Sequence, residues 1–364
     1  MDSQKRKLCF FSGDITRSGG TERVSTQIMN GLCDAYHISV VSLSEAAGEP
    51  FYPLDKRIAR TALFESNPSG LSQYFDIIRR LREFVRRNAM EILIDIDTIL
   101  DAFSVPALKG TGVKLIAWEH FNFYESMGTR TRMPIRRHFT RRADAVVTLT
   151  REDQENYTRA FGGKTPIRQI YNPILLPEER KPYEVDSKTI VSVGRLAPQK
   201  GFDYLMEAAR TVFEKYPDWE WIILGEGAER ERLESLRDEK GLHQVHFPGR
   251  VGNVGDYLDN AALFVLTSRY EGFPLALVEA KAHGLPVFSF HCRTGPFELV
   301  KDGVNGFLVD CFNTKQMADR ICELIGDAEK RISFAENALL DTEKMSQEKV
   351  MEEWKTLLSG LSAP

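Results

Sequence analysis

The sequence contains no apolar run near the roughly 20 residues that a membrane-spanning helix requires. Its longest apolar stretches are strand-sized: Ile92 to Ile94, Ile190 to Val193, Trp221 to Leu224 and Leu263 to Leu266. The opening MDSQKRKLCFFSG passes from charged residues straight into a short strand, without a secretory apolar region, so a cytoplasmic location is expected. Cysteine is scarce. The five (Cys9, Cys33, Cys292, Cys311 and Cys322) are odd in number and no pair has metal-ligand spacing, which excludes a disulfide framework and a zinc site and leaves reduced thiols. There is no internal repeat and no low-complexity tract, so solenoid and disordered architectures are excluded. Neither sign of charge dominates: the net charge is −4 over 364 residues, and no nucleic-acid partner is expected.

With 27% charged and 42% hydrophobic residues, the chain has the composition of a soluble globular protein of about two domains. Charge is spread unevenly. Residues 1–180 hold 26 Lys and Arg against 22 Asp and Glu, and residues 181–364 hold 22 against 30. The two halves are built for different neighbours.

In the first half, Leu8 to Ser12 reads as a strand, Gly13 to Gly20 as a loop, and Thr21 to Leu32 as a helix capped by Thr21. This strand, glycine loop and helix is how a doubly wound α/β domain begins, although the loop lacks a full GxGxxG. Gly19 and Gly20 form either a tight turn or a bare backbone against which a substrate can lie. His37 to Leu43, Glu91 to Asp97, Val113 to Trp118 and Ala145 to Leu149 read as further strands, and Leu71 to Asn88 as a helix. Asp95 and Asp97 imitate the paired aspartates with which many sugar transferases hold a metal, but strand-end aspartates are commonly solvated and no metal site is expected. Glu119 and His120 sit just past a strand end, where open α/β sheets bind ligands. Thr129 to Arg142 carries six arginines, no acid, and interleaved Met133, Ile135 and Phe139. It reads either as a solvated helix face or as a basic surface for anionic lipid headgroups or a pyrophosphate.

Asn172 to Tyr183 has three prolines and reads as a linker. The expected domains are residues 1–177 and 178–344, with a last helix, about 345–364, packing back on the first. The second half repeats the α/β alternation. Thr189 to Val193 is followed by GRLAPQKG (194–201) and a helix to Tyr216, and Glu220 to Leu224 by GEG (225–227) and a charged helix to Lys240. His246 to Gly249, Ala262 to Leu266 and Pro286 to Phe290 are strands, while Val254 to Ala261 and Met317 to Ile325 are helices. From Thr267 to Ala282, TSRYEGFPLALVEAKA, a strand end passes through a polar turn into a helix starting near Phe273. Its first amides, at Phe273, Leu275 and Ala276, lie at the positive end of a helix dipole, which is an anion site. Arg195 and Lys200 in the loop after a strand add a planar fork and a point charge. Together they match a nucleotide diphosphate leaving without a metal ion. Glu271 and Glu279, on either side of that helix start, are acceptors suited to sugar hydroxyls.

VGRLAPQKGFDYL (193–205), SRYEGFPLALVEA (268–280) and TGPFELVKDGVNGFLV (294–309) resemble the donor-binding half of glycosyltransferase family 4, retaining enzymes of the GT-B fold. SGGTERV (18–24) and WEHFNFY (118–124) are similar to that family's N-terminal motifs, so the resemblance covers nearly the whole chain. It implies two doubly wound Rossmann-like domains facing across a cleft. It implies that Arg195 and Lys200 hold the diphosphate with the amides of Phe273, Pro274's neighbour Leu275, and Ala276. Glu279 would bind the ribose, Glu271 would face the transferred sugar, and His120 would contact that sugar. Gly19 and Gly20 would lie near the diphosphate and acceptor, and Gly225, Glu226, Arg250 and Val251 would border the base. Cofactors and metals are not expected.

No second carboxylate stands at nucleophile spacing, so a front-face substitution is preferred to a double displacement. The expected activity moves a hexose or N-acetylhexosamine from a nucleotide sugar, by default a UDP-sugar, to a glycan or lipid-linked acceptor in cell-surface polysaccharide or lipopolysaccharide synthesis. The arginine-rich stretch 130–142 would serve a peripheral location on the inner face of the cytoplasmic membrane. A nucleotide-sugar epimerase, or a binding subunit without turnover, is the competing expectation.

Overall fold

The computed structural model describes residues 5–126 and 130–361. Thr129, at the start of the arginine-rich stretch, and the outermost residues of the chain lie outside that range. The chain divides into two compact units, Met1–Pro173 with Gln347–Pro364, and Ile174–Ser346.

The first unit is built on seven strands: β1 Lys7–Ser12, β2 His37–Ser42, β3 Ala59–Ala62, β4 Ile92–Ile96, β5 Lys114–Trp118, β6 Ala145–Thr148 and β7 Ile167–Gln169. All pair in parallel, in the order β3-β2-β1-β4-β5-β6-β7. A parallel sheet covered by helices on both faces needs apolar residues on both faces, and that is why β1 carries the apolar run Leu8 to Phe11 and β4 the run Ile92 to Ile94. The last helix, Gln347–Gly360, belongs to this unit. Arg6 donates to the carbonyls of Leu358 at 2.7 Å and Leu361 at 2.8 Å, and Trp354 meets Trp118 edge-on at 4.8 Å between ring centroids.

The second unit repeats the plan with β8 Thr189–Val193, β9 Glu220–Leu224, β10 Val245–Gly249, β11 Leu263–Leu266, β12 Val287–Phe290 and β13 Gly306–Val309. Its order is β10-β9-β8-β11-β12-β13, again parallel throughout. The direction of winding reverses between β8 and β11, and ligands of open α/β sheets bind at the strand ends beside such a reversal. The core under this sheet is filled by Leu205, Ala209 and Val212 of helix Phe202–Lys215 and by Met317, Ile321 and Leu324 of helix Thr314–Ile325. Among the described residues, no helix is long and apolar enough to cross a membrane.

Several elements lack a sequence signal. β3 (ARTA) is a half-exposed edge strand without an apolar run. Helix Asp101–Leu108 carries Pro106 inside it, and helix Arg151–Phe161 buries only Tyr157 and Phe161 among its apolar residues. One expected cap also moves. Helix Gly20–Leu32 is capped at Gly19, not Thr21. Glu22, three residues on, folds back so closely that a Cβ on Gly19 would lie 2.3 Å from its Oε2, and its carboxylate accepts from the Gly19 backbone. That is half of a capping box, and it gives Glu22 a local structural role.

Candidate active site

Loops after β8, β9, β11 and β12 converge at the carboxyl ends of the second sheet. The loop after β8 ends at Gly201, where φ is 61° and a Cβ would lie 2.2 Å from the Thr267 carbonyl oxygen. Only glycine lets that loop rest on the end of β11. Thr267 Oγ1 donates to the Lys200 carbonyl at 3.2 Å, and Arg269 N–H to the Gln199 carbonyl at 2.8 Å. The loops after β8 and β11 are therefore one construction.

Within it, Lys200 Nζ lies 2.7 Å from Glu271 Oε1. Ser268 Oγ donates to the same oxygen at 2.6 Å, and Thr294 Oγ1, from the loop after β12, donates to the Glu271 carbonyl at 2.5 Å. Glu271 is buried and Lys200 half-buried. Helix Leu275–Ala282 starts four residues after Glu271, capped by Pro274 without a side-chain bond and with no acid in its first turn. No side-chain cap and no first-turn acid therefore offset the positive end of its dipole. The first-unit helix Gly20–Leu32 differs, because Glu22 already meets its start. Phe273 and Pro274 are buried beneath this turn, and Glu279 lies one turn into the helix, half-exposed. Arg195 is exposed in the loop after β8.

Gly225, Glu226, Arg250 and Val251 gather on the other side of β8. Gly225 N–H donates to the Gly249 carbonyl at 2.9 Å, and Leu196 N–H to the Glu226 carbonyl at 2.9 Å. Gly225 has φ 144°, and a Cβ there would sit 1.9 Å from the Gly194 carbonyl oxygen. Glu226 is paired with Arg230 at 2.5 Å.

The chain's parts match two family models: one described as Glycosyltransferase Family 4 over residues 18–176, the other as Glycosyl transferases group 1 over residues 177–340. An uncharacterized glycosyltransferase of Haemophilus influenzae is 34% identical over 356 residues, covering 97% of this chain and 100% of the relative. The chain is a family 4 glycosyltransferase. The amylovoran biosynthesis glycosyltransferase AmsD of Erwinia amylovora is 26% identical to it over 97% of this chain and 99% of its own. The transferase also shares its fold with Anabaena Alr3699/HepE, solved in complex with UDP. The TM-score is 0.79 at 19% identity, with 98% of this chain and 100% of that one covered. Its two parallel-sheet Rossmann-like units are those of the GT-B fold.

In the first unit of the transferase, His120 follows β5. Its ring packs on Trp118 at 4.3 Å between centroids, and its Nε2 is buried without a hydrogen-bond partner among the described residues. Burial pushes the imidazole pKa down to about 3 against the pull of Glu119, so the ring is neutral.

The arginine-rich stretch needs correction as a basic surface. Arg132 and Arg136 are buried. Arg132 holds Asp97 by two bonds, at 2.6 and 2.9 Å, and stacks over Phe121 at 4.7 Å. Arg136 is ion-paired with Glu119 at 2.8 Å. A run of arginines read either as a solvated face or as a basic surface supplies, at Arg132 and Arg136, the counter-charges of Asp97 and Glu119. Arg130, Arg137, Arg141 and Arg142 remain exposed. Asp97 is thereby taken. Asp95 is fully buried, accepts from Ser104 at 2.7 Å, and faces Asp101, so the two strand-end aspartates are neither solvated nor a pair.

Sequence reading missed the support around Glu271. Arg269 grips Asp203 with two bonds, at 3.0 and 2.6 Å, donates to the Pro198 carbonyl at 2.6 Å and lies over the Tyr204 ring at 4.5 Å. It ties the Glu271 turn to the helix beginning at Phe202. An arginine beside the glutamate motif was visible in SRYEG, but its partner lies 66 residues away and has no local signature.

Proposed function

We propose that this glycosyltransferase takes a nucleoside diphosphate sugar, with uridine as the base, and moves a hexose or N-acetylhexosamine with retention of configuration. The acceptor is a glycan or lipid-linked glycan of a cell-surface polysaccharide, by analogy with the amylovoran enzyme. The observation that carries this reading is the Lys200–Glu271 pair at the start of helix Leu275–Ala282, beside the sheet's reversal. An ammonium desolvated and held by a carboxylate is in position before the ligand arrives, so little reorganisation remains for the reaction.

In this reading Lys200, Arg195 and the first-turn amides take the diphosphate, and Glu279 takes the ribose hydroxyls. Gly225, Glu226, Arg250 and Val251 border the base. Glu271 receives hydroxyls of the transferred sugar and steadies positive charge at its anomeric carbon. The leaving phosphate takes the acceptor proton as the acceptor oxygen arrives on the same face, while the two cations stabilise its developing charge. No metal ion is assigned to this step. In the first unit, the exposed backbone at Gly20 is assigned to substrate, Gly19 being covered by the Glu22 carboxylate, and His120 Nε2 is assigned to a sugar hydroxyl. The exposed Arg130, Arg137, Arg141 and Arg142 are assigned to an anionic membrane surface.

Thermal melts in the presence of nucleotides test the reading. A ligand that binds only the folded chain raises its melting temperature. UDP is expected to protect more than ADP or GDP, and UMP hardly at all. Equal protection by UMP and UDP would remove the diphosphate cradle.

A further inference from the structure

The segment leaving β5 carries His120 between two residues that are tied down separately. Glu119 is 1% exposed. Its Oε2 accepts from Arg136 Nε at 2.9 Å, from Thr98 Oγ1 at 2.9 Å and from the Tyr157 hydroxyl. Its Oε1 accepts from the N–H of Phe121 at 3.0 Å, closing a loop of hydrogen bonds around His120. Arg136 then spans the next turn of the chain, donating to the carbonyls of Asn122 at 3.1 Å, Phe123 at 2.7 Å and Glu125 at 3.0 Å. The guanidinium is fully buried and every one of these bonds falls on residues 119–125.

For stability alone this is an expensive arrangement. A buried ion pair is often no better than apolar residues of the same volume. The segment it holds also carries a polar atom, His120 Nε2, that is buried with no hydrogen-bond partner among the described residues. The network makes sense if its product is the placement of that nitrogen.

We propose that Glu119 and Arg136, aided by Tyr157, are positioning residues that hold the His120 ring in place and fix the direction of Nε2, the atom assigned to a sugar hydroxyl. This rests on the proposed role of His120 as a sugar contact. The two carboxylate oxygens fix the backbone on either side of the imidazole, and the guanidinium fork fixes the turn beyond it. Trp118, braced by Trp354 of the last helix, closes one face of the ring. Glu119 is the charged group that acts on the imidazole, and it pulls the ring towards protonation. The low basicity of the ring therefore depends on its staying dry.

The test is an NMR titration of the ring nitrogens in full-length protein labelled at its seven histidines, with His120 assigned from its absence in His120→Gln. In the parent, the His120 signals should show one tautomer and no titration between pH 5 and 8. Arg136→Lys keeps the charge and loses the fork, and Tyr157→Phe removes one bond onto Glu119 and no charge. Either should admit water, bring the His120 titration into the pH 5–8 window and mix the tautomers. If Arg136→Lys does not fold, Tyr157→Phe alone decides. Folded variants with the parental tautomer and titration would overturn the positioning role. Failure of the sugar reading looks different. Full release of UDP from a panel of UDP-hexoses by His120→Ala would sink that contact whatever the titration shows.

Discussion

The Lys200 ammonium and the Glu271 carboxylate, 71 positions apart in the chain, meet at 2.7 Å where the loops after β8 and β11 close on each other. Neither is a surface ion pair, since their side chains are 17% and 6% exposed. In the proposed site, Lys200→Ala removes a fixed cation from the place assigned to the leaving-group charge. Turnover at saturating donor should fall by about 10²–10³, or roughly 3–4 kcal/mol of transition-state stabilisation. Steady-state kinetics on the variant, with its melting curve as a folding control, checks this.

Glu271 and Glu279 sit on opposite sides of the helix start and should fail in different ways. Glu271 is buried against Lys200 and Ser268, and Glu279 is half-exposed within the helix. Glu271→Ala should lower kcat by about 10² with little change in KM for the donor, because it acts on charge that appears during reaction. Glu279→Ala should raise the donor KM by about tenfold with kcat nearly unchanged. The reverse pattern would exchange their assigned roles.

Asp95 and Asp101 share a proton inside the first unit. Among the described residues, Asp95 Oδ2 and Asp101 Oδ1 are buried without another partner, and a bond between the two carboxyls requires one of them to be protonated. Burial, and for Asp101 the neighbouring Asp95, drive both upward, Asp95 to about 7 and Asp101 well beyond the usual carboxylate range. The folded chain therefore keeps protons that the unfolded chain gives up near pH 4, and stability falls as the pH rises from about 4 to about 7. Asp101→Asn supplies the donor permanently. It should add about 2–4 kcal/mol at pH 7 and nearly nothing at pH 4. Urea denaturation of parent and variant across that range reads the difference directly.

The membrane assignment now rests on a smaller set of arginines. Replacing Arg137, Arg141 and Arg142 by Ser should reduce sedimentation with anionic vesicles by several-fold and leave UDP affinity unchanged, since all three are exposed. Equal sedimentation of parent and variant would end the assignment. Arg136→Ser belongs to a different class: it strands the buried Glu119 and should destabilise the fold by about 3–5 kcal/mol.

The central strands of both sheets were legible because they, such as β1, β4, β8 and β11, are built on short apolar runs with glycine or polar turns after them. β3 was not legible, since an exposed edge strand needs no apolar pattern. The glycine loop, Lys200 and the glutamates assigned to the proposed diphosphate cradle were visible as residue types at strand ends, because such a cradle would be built from local amides and nearby cations. What escaped were long-range partners. Arg136 looks solvated in MPIRRHF, and only the fold shows it beneath Glu119. Thr21 looked like a cap because its hydroxyl suits one, yet Glu22 reaches back to Gly19 instead.

The central claim is that two side-chain cations and a helix start in the second unit hold a diphosphate by themselves. Calorimetric titration of UDP with excess EDTA, on the parent, Arg195→Ala and Lys200→Ala, tests it most directly. Undiminished parental binding with at least a tenfold loss in each variant is the predicted result. Binding that disappears with EDTA, or that both variants retain in full, would contradict it.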